Sequence, residues 1–188
     1  MMPIKISAAS LGLLLAAAPA ALAEEGMDKQ AKIDNALSAA TPMIAENASV
    51  MTPDGTVLQE GSGAYTCFPE GGGISAPMCL DDAWMGWVDA YVNKTDFQAE
   101  EMGIAYMLAG DGEGASNTDP RAEEPAAGND WVIEGPHLMM LVPDTAMLEA
   151  LPTDHTTGEP YVMWKGTPYA HIMVPTGERP QQPQVAER

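Results

Sequence analysis

The sequence predicts a single α+β domain: a mostly antiparallel sheet of about five to six strands, two or three packing helices and one disulfide. Three observations carry that expectation. Two apolar runs sit between prolines, Pro136-His-Leu-Met-Met-Leu-Val-Pro143 and Pro168-Tyr-Ala-His-Ile-Met-Val-Pro175. One stretch, Ala83 to Lys94, repeats large apolar residues at helical spacing. The only cysteines, Cys67 and Cys79, bracket a Gly-rich loop.

The proline-bracketed runs are too short for helices. Proline lacks a backbone donor and pushes its predecessor towards extended geometry, which suits the ends of a strand. Side chains then alternate faces. His137, Met139 and Leu141 share one face of the first run, with Leu138, Met140 and Val142 on the other. Tyr169, His171 and Met173 share a face of the second, opposite Ala170, Ile172 and Val174. Neither face is plainly polar, so both sides of the sheet should be covered.

In chain order, Met1 to Lys5 form a basic start, Ile6 to Ala20 an apolar stretch, and Ala21-Leu22-Ala23 an A-x-A cleavage site. The stretch is too short for a membrane span. The expected product is an exported domain beginning at Glu24, periplasmic or secreted, with domain limits 24–178 and a flexible tail over 179–188. Without Lys5, 7 basic residues face 27 acidic ones, a net charge of −20. Such a field repels nucleic acid and anionic membranes, whose binding needs Lys and Arg against phosphates.

From Met27 onward, Ile33, Ala36, Leu37 and Ala40 predict a helix that Pro42 ends near Ala40. Pro53-Asp54-Gly55 between two β-prone tetrapeptides predicts a hairpin. Ala64 to Phe68 reads as a third strand leading into the disulfide loop. In an oxidising compartment a Cys67–Cys79 bridge is expected, contributing about 3 kcal/mol by loop entropy. Asp81 should cap the helix that follows, where Trp84, Trp87, Val88 and Tyr91 form a stripe. Such a stripe is first of all core packing. Trp84, Trp87 and Tyr91, with Tyr169, are also the candidate wall of a ligand pocket.

Gly103 to Ala109 reads as a strand. Asp111 to Asp130 is a Gly-, Ala-, Pro- and acid-rich loop. Its Asp111, Glu113, Asn117 and Asp119 alternate oxygen donors, but Ala115 and Ala122 stand where a calcium loop needs ligands. A solvated loop is the better reading. A short helix from Thr145, capped by Asp144, and a strand over Tyr161 to Trp164 complete the fold.

The chemistry worth isolating is His137, Met139, His171 and Met173, with Met107 as a further member. Imidazole and thioether are soft donors that suit Cu(I). Two neighbouring strands could present all four to one copper ion. The set resembles the His and Met ligands of periplasmic copper chaperones, though their spacing is not reproduced. The competing reading is hydrogen-bonded core histidines with methionine as filler. An enzyme is harder to build: no Gly-x-Ser-x-Gly elbow, His-Glu-x-x-His helix or phosphate loop occurs. Asp154-His155 is the one adjacent acid–base pair, and it sits in a polar turn.

The stretches Gly103-Ile-Ala-Tyr-Met-Leu, Ala115-Ser-Asn-Thr-Asp-Pro120, Pro136 to Pro143 and Met163-Trp-Lys-Gly-Thr-Pro-Tyr-Ala-His-Ile-Met-Val-Pro175 resemble an uncharacterised group of exported bacterial proteins. That resemblance implies a compact secreted domain and transfers no activity. The expected function is therefore a non-enzymatic binding or interaction module with a protein or small-molecule partner. A Cu(I) binder through the His/Met set and a periplasmic hydrolase are the alternatives.

Overall fold

The structure is a computed structural model that describes the backbone of residues 18–183 and side chains from residue 28. Most of the expected leader, 1–17, and the end of the expected tail, 184–188, lie outside the described residues.

Eight strands form the main sheet, more than the five to six expected. They are β1 (Ser49–Met51), β2 (Val57–Gln59), β3 (Thr66–Phe68), β4 (Met78–Leu80), β5 (Gly103–Met107), β8 (His137–Leu141), β9 (Tyr161–Met163) and β10 (His171–Pro175). Their order is β2-β1-β3-β4-β5-β8-β10-β9, antiparallel throughout except β1 against β3. A small hairpin of β6 (Ala115–Ser116) and β7 (Trp131–Val132) stands apart. The additional elements are very short. Strands of two or three residues carry too little alternation to be read from sequence. β4 shows this best: Met78-Cys79-Leu80 became a strand because Cys79 lies directly opposite Cys67 and is bonded to it.

Four helices accompany the sheet, against two or three expected: α1 (Ala18–Leu37), α2 (Pro42–Ala45), α3 (Asp82–Asn93) and α4 (Thr145–Ala150). α1 ends shortly before the expected Ala40. Its Ile33 and Ala36 pack on Val50, Cys67 and Cys79 on the back of the sheet. α4 covers the other end of that back face, where Leu148 meets Val142, Val162 and Ile172. Both faces are covered, as the apolar runs require.

α3 lies across the front. Asp81 caps it as expected, its Oδ1 accepting from the Trp84 amide at 3.0 Å. The same carboxylate accepts from the Ile104 amide through Oδ2, which ties the helix start to the edge of β5. The helix sits so close there that a Cβ at Gly103 would lie 2.9 Å from that of Ala83. Lys94 closes the helix in the left-handed conformation.

The chain is held on both sides of residue 179, where the expected tail begins. Thr176 donates to the Pro136 carbonyl from both its amide and its hydroxyl, at 2.8 Å each. Arg179 pairs with Glu134 through two nitrogens. The Gln182 side-chain amide both donates to and accepts from the Ile133 backbone, at 2.9 Å each, as a strand partner would. Among the described residues, no helix is long and apolar enough to cross a membrane.

Candidate functional site: a chamber floored by histidine and methionine

The two proline-bracketed runs are neighbours. β8 and β10 pair antiparallel with Met139 opposite Met173 and His137 opposite Pro175. All four His/Met positions therefore share the front face, as the sequence predicted. The register, however, does not bring the two imidazoles level. His171 begins β10 and stands beyond the Ile172–Met140 pair, at the far end from His137. The rows of His137 and His171 are four residues apart along the strands, about 13 Å at ~3.3 Å per residue. A single ion gathering all four side chains, the alternative offered from sequence, does not suit this spacing. Each histidine has instead a level methionine on its outer side: Met107 of β5 beside His137, and Met163 of β9 beside His171.

Between this face and α3 lies a chamber of about 710 Å³. Met107, Met139, Met163 and Met173 line its sheet wall with both histidines. Met51, Met78 and Met85 extend the thioether lining towards α1's end of the sheet and up onto α3. Trp84, Trp87, Tyr91 and Trp164 supply an aromatic wall. Trp87 stacks nearly parallel on both Tyr91 (5.2 Å, 4°) and Trp164 (5.8 Å, 8°). Trp164 achieves this with a positive φ of 55°, a rare conformation for a bulky side chain. Its amide and indole donate to Asn117 and Ser116 carbonyls, which hold it there. Towards solvent the chamber reaches Val88 and Val92 on α3 and Pro53 and Gly72 to Ser75 in the facing loops.

Both histidines are almost wholly buried, at 1% and 2% exposure. Each Nδ1 faces a backbone carbonyl, Gly135 for His137 (2.8 Å) and Tyr169 for His171 (2.9 Å). A carbonyl only accepts, so each Nδ1 carries the proton and each Nε2 keeps its lone pair. Neither Nε2 has a partner. Burial disfavours the charged form and lowers both pKa values, that of His171 to about 4. Two neutral imidazoles thus present bare acceptor nitrogens in an apolar setting. Nearby, the Trp84 indole N–H is also unpartnered. Asp111, 8% exposed, lines the chamber with an unpartnered Oδ1, and burial raises its pKa to about 7.

Of the aromatic wall expected from sequence, Trp84, Trp87 and Tyr91 line the chamber, whereas Tyr169 does not. Alternation places Tyr169 on the His171 face, but strand β10 starts only at His171 and a turn precedes it. Its ring packs edge-on against Trp87 and Tyr91 from behind. Its hydroxyl donates to Thr95 and accepts from Arg121.

The remaining polar candidates are used elsewhere. Asp154 caps its own turn through Thr156 and does not pair with His155. His155 instead accepts from Arg179 on Nδ1 (3.4 Å) and donates from Nε2 to Asp130 (3.2 Å). Glu134, whose side chain is fully buried, accepts from Arg179 and from the Tyr161 hydroxyl. The calcium-like donors scatter: Glu113 and Asp119 are exposed, while Asn117 donates to Asp130 and Thr153. Among the described residues, no group of three or more His, Cys, Asp or Glu converges to hold a metal.

Sequence reasoning missed Met163, Met78, Met51 and Met85 as lining residues, and read Asp111 only as an oxygen of a calcium-like loop. Met163 had a usable signal: it precedes His171 across a short Gly-Thr-Pro connection, so a hairpin would set the two level. Comparison with family models, with curated proteins and with solved structures finds no match for this chain.

Proposed function

We propose that this is an exported, non-enzymatic binding protein that encloses a small ligand between α3 and the front of the sheet. The observation that carries this reading is the chamber itself. It is large enough for a small organic molecule, lined mainly by thioethers and aromatic rings, and floored by acceptor nitrogens without partners. That combination of apolar wall and few convergent polar atoms is the usual make-up of a ligand site. The polar groups Glu134, Arg179, Tyr161, His155 and Asp130 hydrogen-bond one another, which favours binding over hydrolysis. The leader-like start favours a secreted or periplasmic setting, and N-terminal sequencing for Glu24 tests that part.

Trp84, Trp87 and Trp164 make the chamber self-reporting. Titration with a neutral naphthylamine probe is expected to quench tryptophan emission saturably, at one probe per chain. Met139→Glu, which places a charge in the chamber wall, is expected to weaken uptake at least tenfold, since an unpaired charge in an apolar site costs more than about 1.4 kcal/mol. Unsaturable quenching, or uptake indifferent to that substitution, overturns the reading.

A further inference from the structure

The chamber floor carries one arrangement twice. A local two-fold axis passes between the opposed Met139 and Met173 and exchanges β8 with β10 and β5 with β9. Under it, Met107, His137 and Met139 correspond to Met163, His171 and Met173. Each set is one imidazole, one level thioether on the neighbouring strand, and one thioether two residues along its own strand. Level neighbours in a sheet sit about 5 Å apart, and alternate residues about 7 Å apart, so the three side chains of a set can meet above the sheet.

We infer that the chamber binds a soft monovalent cation, Cu(I) or its surrogate Ag(I), one ion in each of these two His-Met-Met sets. The inference rests on the chamber admitting a ligand, and it names the ligand class. Three features select this class. Thioether sulfur is a soft donor that hard cations such as calcium and magnesium reject. Zinc would need further nitrogen, thiolate or carboxylate ligands, and no such group converges among the described residues. The histidines are already in the ligating form: Nδ1–H tied to a carbonyl fixes the ring and leaves the Nε2 lone pair free, as in metal-bound imidazole. An ordinary core histidine would have spent that second nitrogen on a hydrogen bond.

The test is anaerobic competition for Cu(I) against a chromophoric bicinchoninate chelator. The metal is supplied as its acetonitrile complex so that the Cys67–Cys79 bridge stays intact. Methionine-to-leucine changes keep volume and apolarity, so the fold should survive while the thioether is lost. The full chain is expected to hold two equivalents. M107L/M139L and M163L/M173L are each expected to hold one, and the fourfold variant none. Met43→Leu, on an exposed side chain, should leave both equivalents in place. A full chain that yields all its Cu(I) to the competitor overturns the inference. So does a double variant that still holds two, or one that holds none. Probe uptake without Cu(I) retention sinks the metal assignment alone. Retention of Cu(I) without probe uptake sinks the apolar-ligand reading alone. Failure of both removes the chamber as a binding site.

Discussion

Asp111 is a carboxyl group without a hydrogen-bond partner on Oδ1, and burial lifts its pKa to about 7, with the Glu134 carboxylate adding to the effect. The native state therefore holds this proton more tightly than the unfolded chain does. Between the unfolded pKa near 4 and the folded value, native stability is lost as pH rises, by about 1.4 kcal/mol per unit. Asp111→Asn removes the group that must ionise. The variant is expected to exceed the parent by a few kcal/mol at about pH 8, with the gap closing towards pH 4. Urea unfolding across that range with a chelator present checks it, and a gap independent of pH would refute the linkage. The histidines show how far single residues could be read from sequence. Period-two alternation placed His137 and His171 on one face with their methionines, and the register bears that out. Alternation could not say where along each other the strands would lie. That depends on the Met139–Met173 pairing and on the neighbours β5 and β9, contacts that come from distant parts of the chain.

At the scale of elements, the C-terminal strap is the piece that composition misdescribed. Prolines and glutamines over 179–188 read as a flexible tail, yet Arg179 and Gln182, with Thr176 just before them, bind three successive parts of the β7–β8 connection. The connection is shaped to receive them: a Cβ at Gly135 would collide with the Glu178 carbonyl. No local pattern announces such a contact, because its parts are separated by 40 or more residues. The Arg179–Glu134 pair closes the strap, with Glu134 fully buried and Arg179 mostly so. Removing one partner of a buried pair leaves an uncompensated charge, which typically costs 3–5 kcal/mol. Arg179→Met is expected to lose about that much in urea unfolding, and to open the strap to proteolysis. Adding Glu134→Gln should restore most of the loss, because the neutral amide no longer needs a cation. A double variant as unstable as the single one would mean that Arg179 acts by packing and not by charge. Elements with strong local signals fared better: the Asp81-capped aromatic helix, the Pro-Asp-Gly hairpin and the cysteine bridge all stand where sequence set them.

The whole molecule carries far more acid than its described ion pairs can offset. The Lys or Arg pairs with carboxylates among the described residues are Lys32–Asp28, Lys165–Glu149 and Arg179–Glu134; the first is exposed and the second partly so. Exposed pairs contribute little, so screening them removes little. The excess carboxylates repel one another across the surface, and folding brings them closer together. Self-repulsion should therefore dominate the response to salt. Raising NaCl from about 10 mM to about 150 mM shortens the Debye length from about 30 Å to about 8 Å, below the dimensions of a domain this size. The midpoint of thermal unfolding is expected to rise by several degrees over that range, and choline chloride should act as well as NaCl. Equal effects from the two salts identify general screening. A rise with sodium alone would instead point to a specific cation site on the acidic surface, and a fall would show that attractive pairs outweigh the repulsion. The same field bears on the chamber. A chain with so strong a negative potential concentrates cations at its surface before any ligand group is reached. Capture of Cu(I) should accordingly slow as salt is added, while the number of ions held at saturation stays fixed by the methionine and histidine sets.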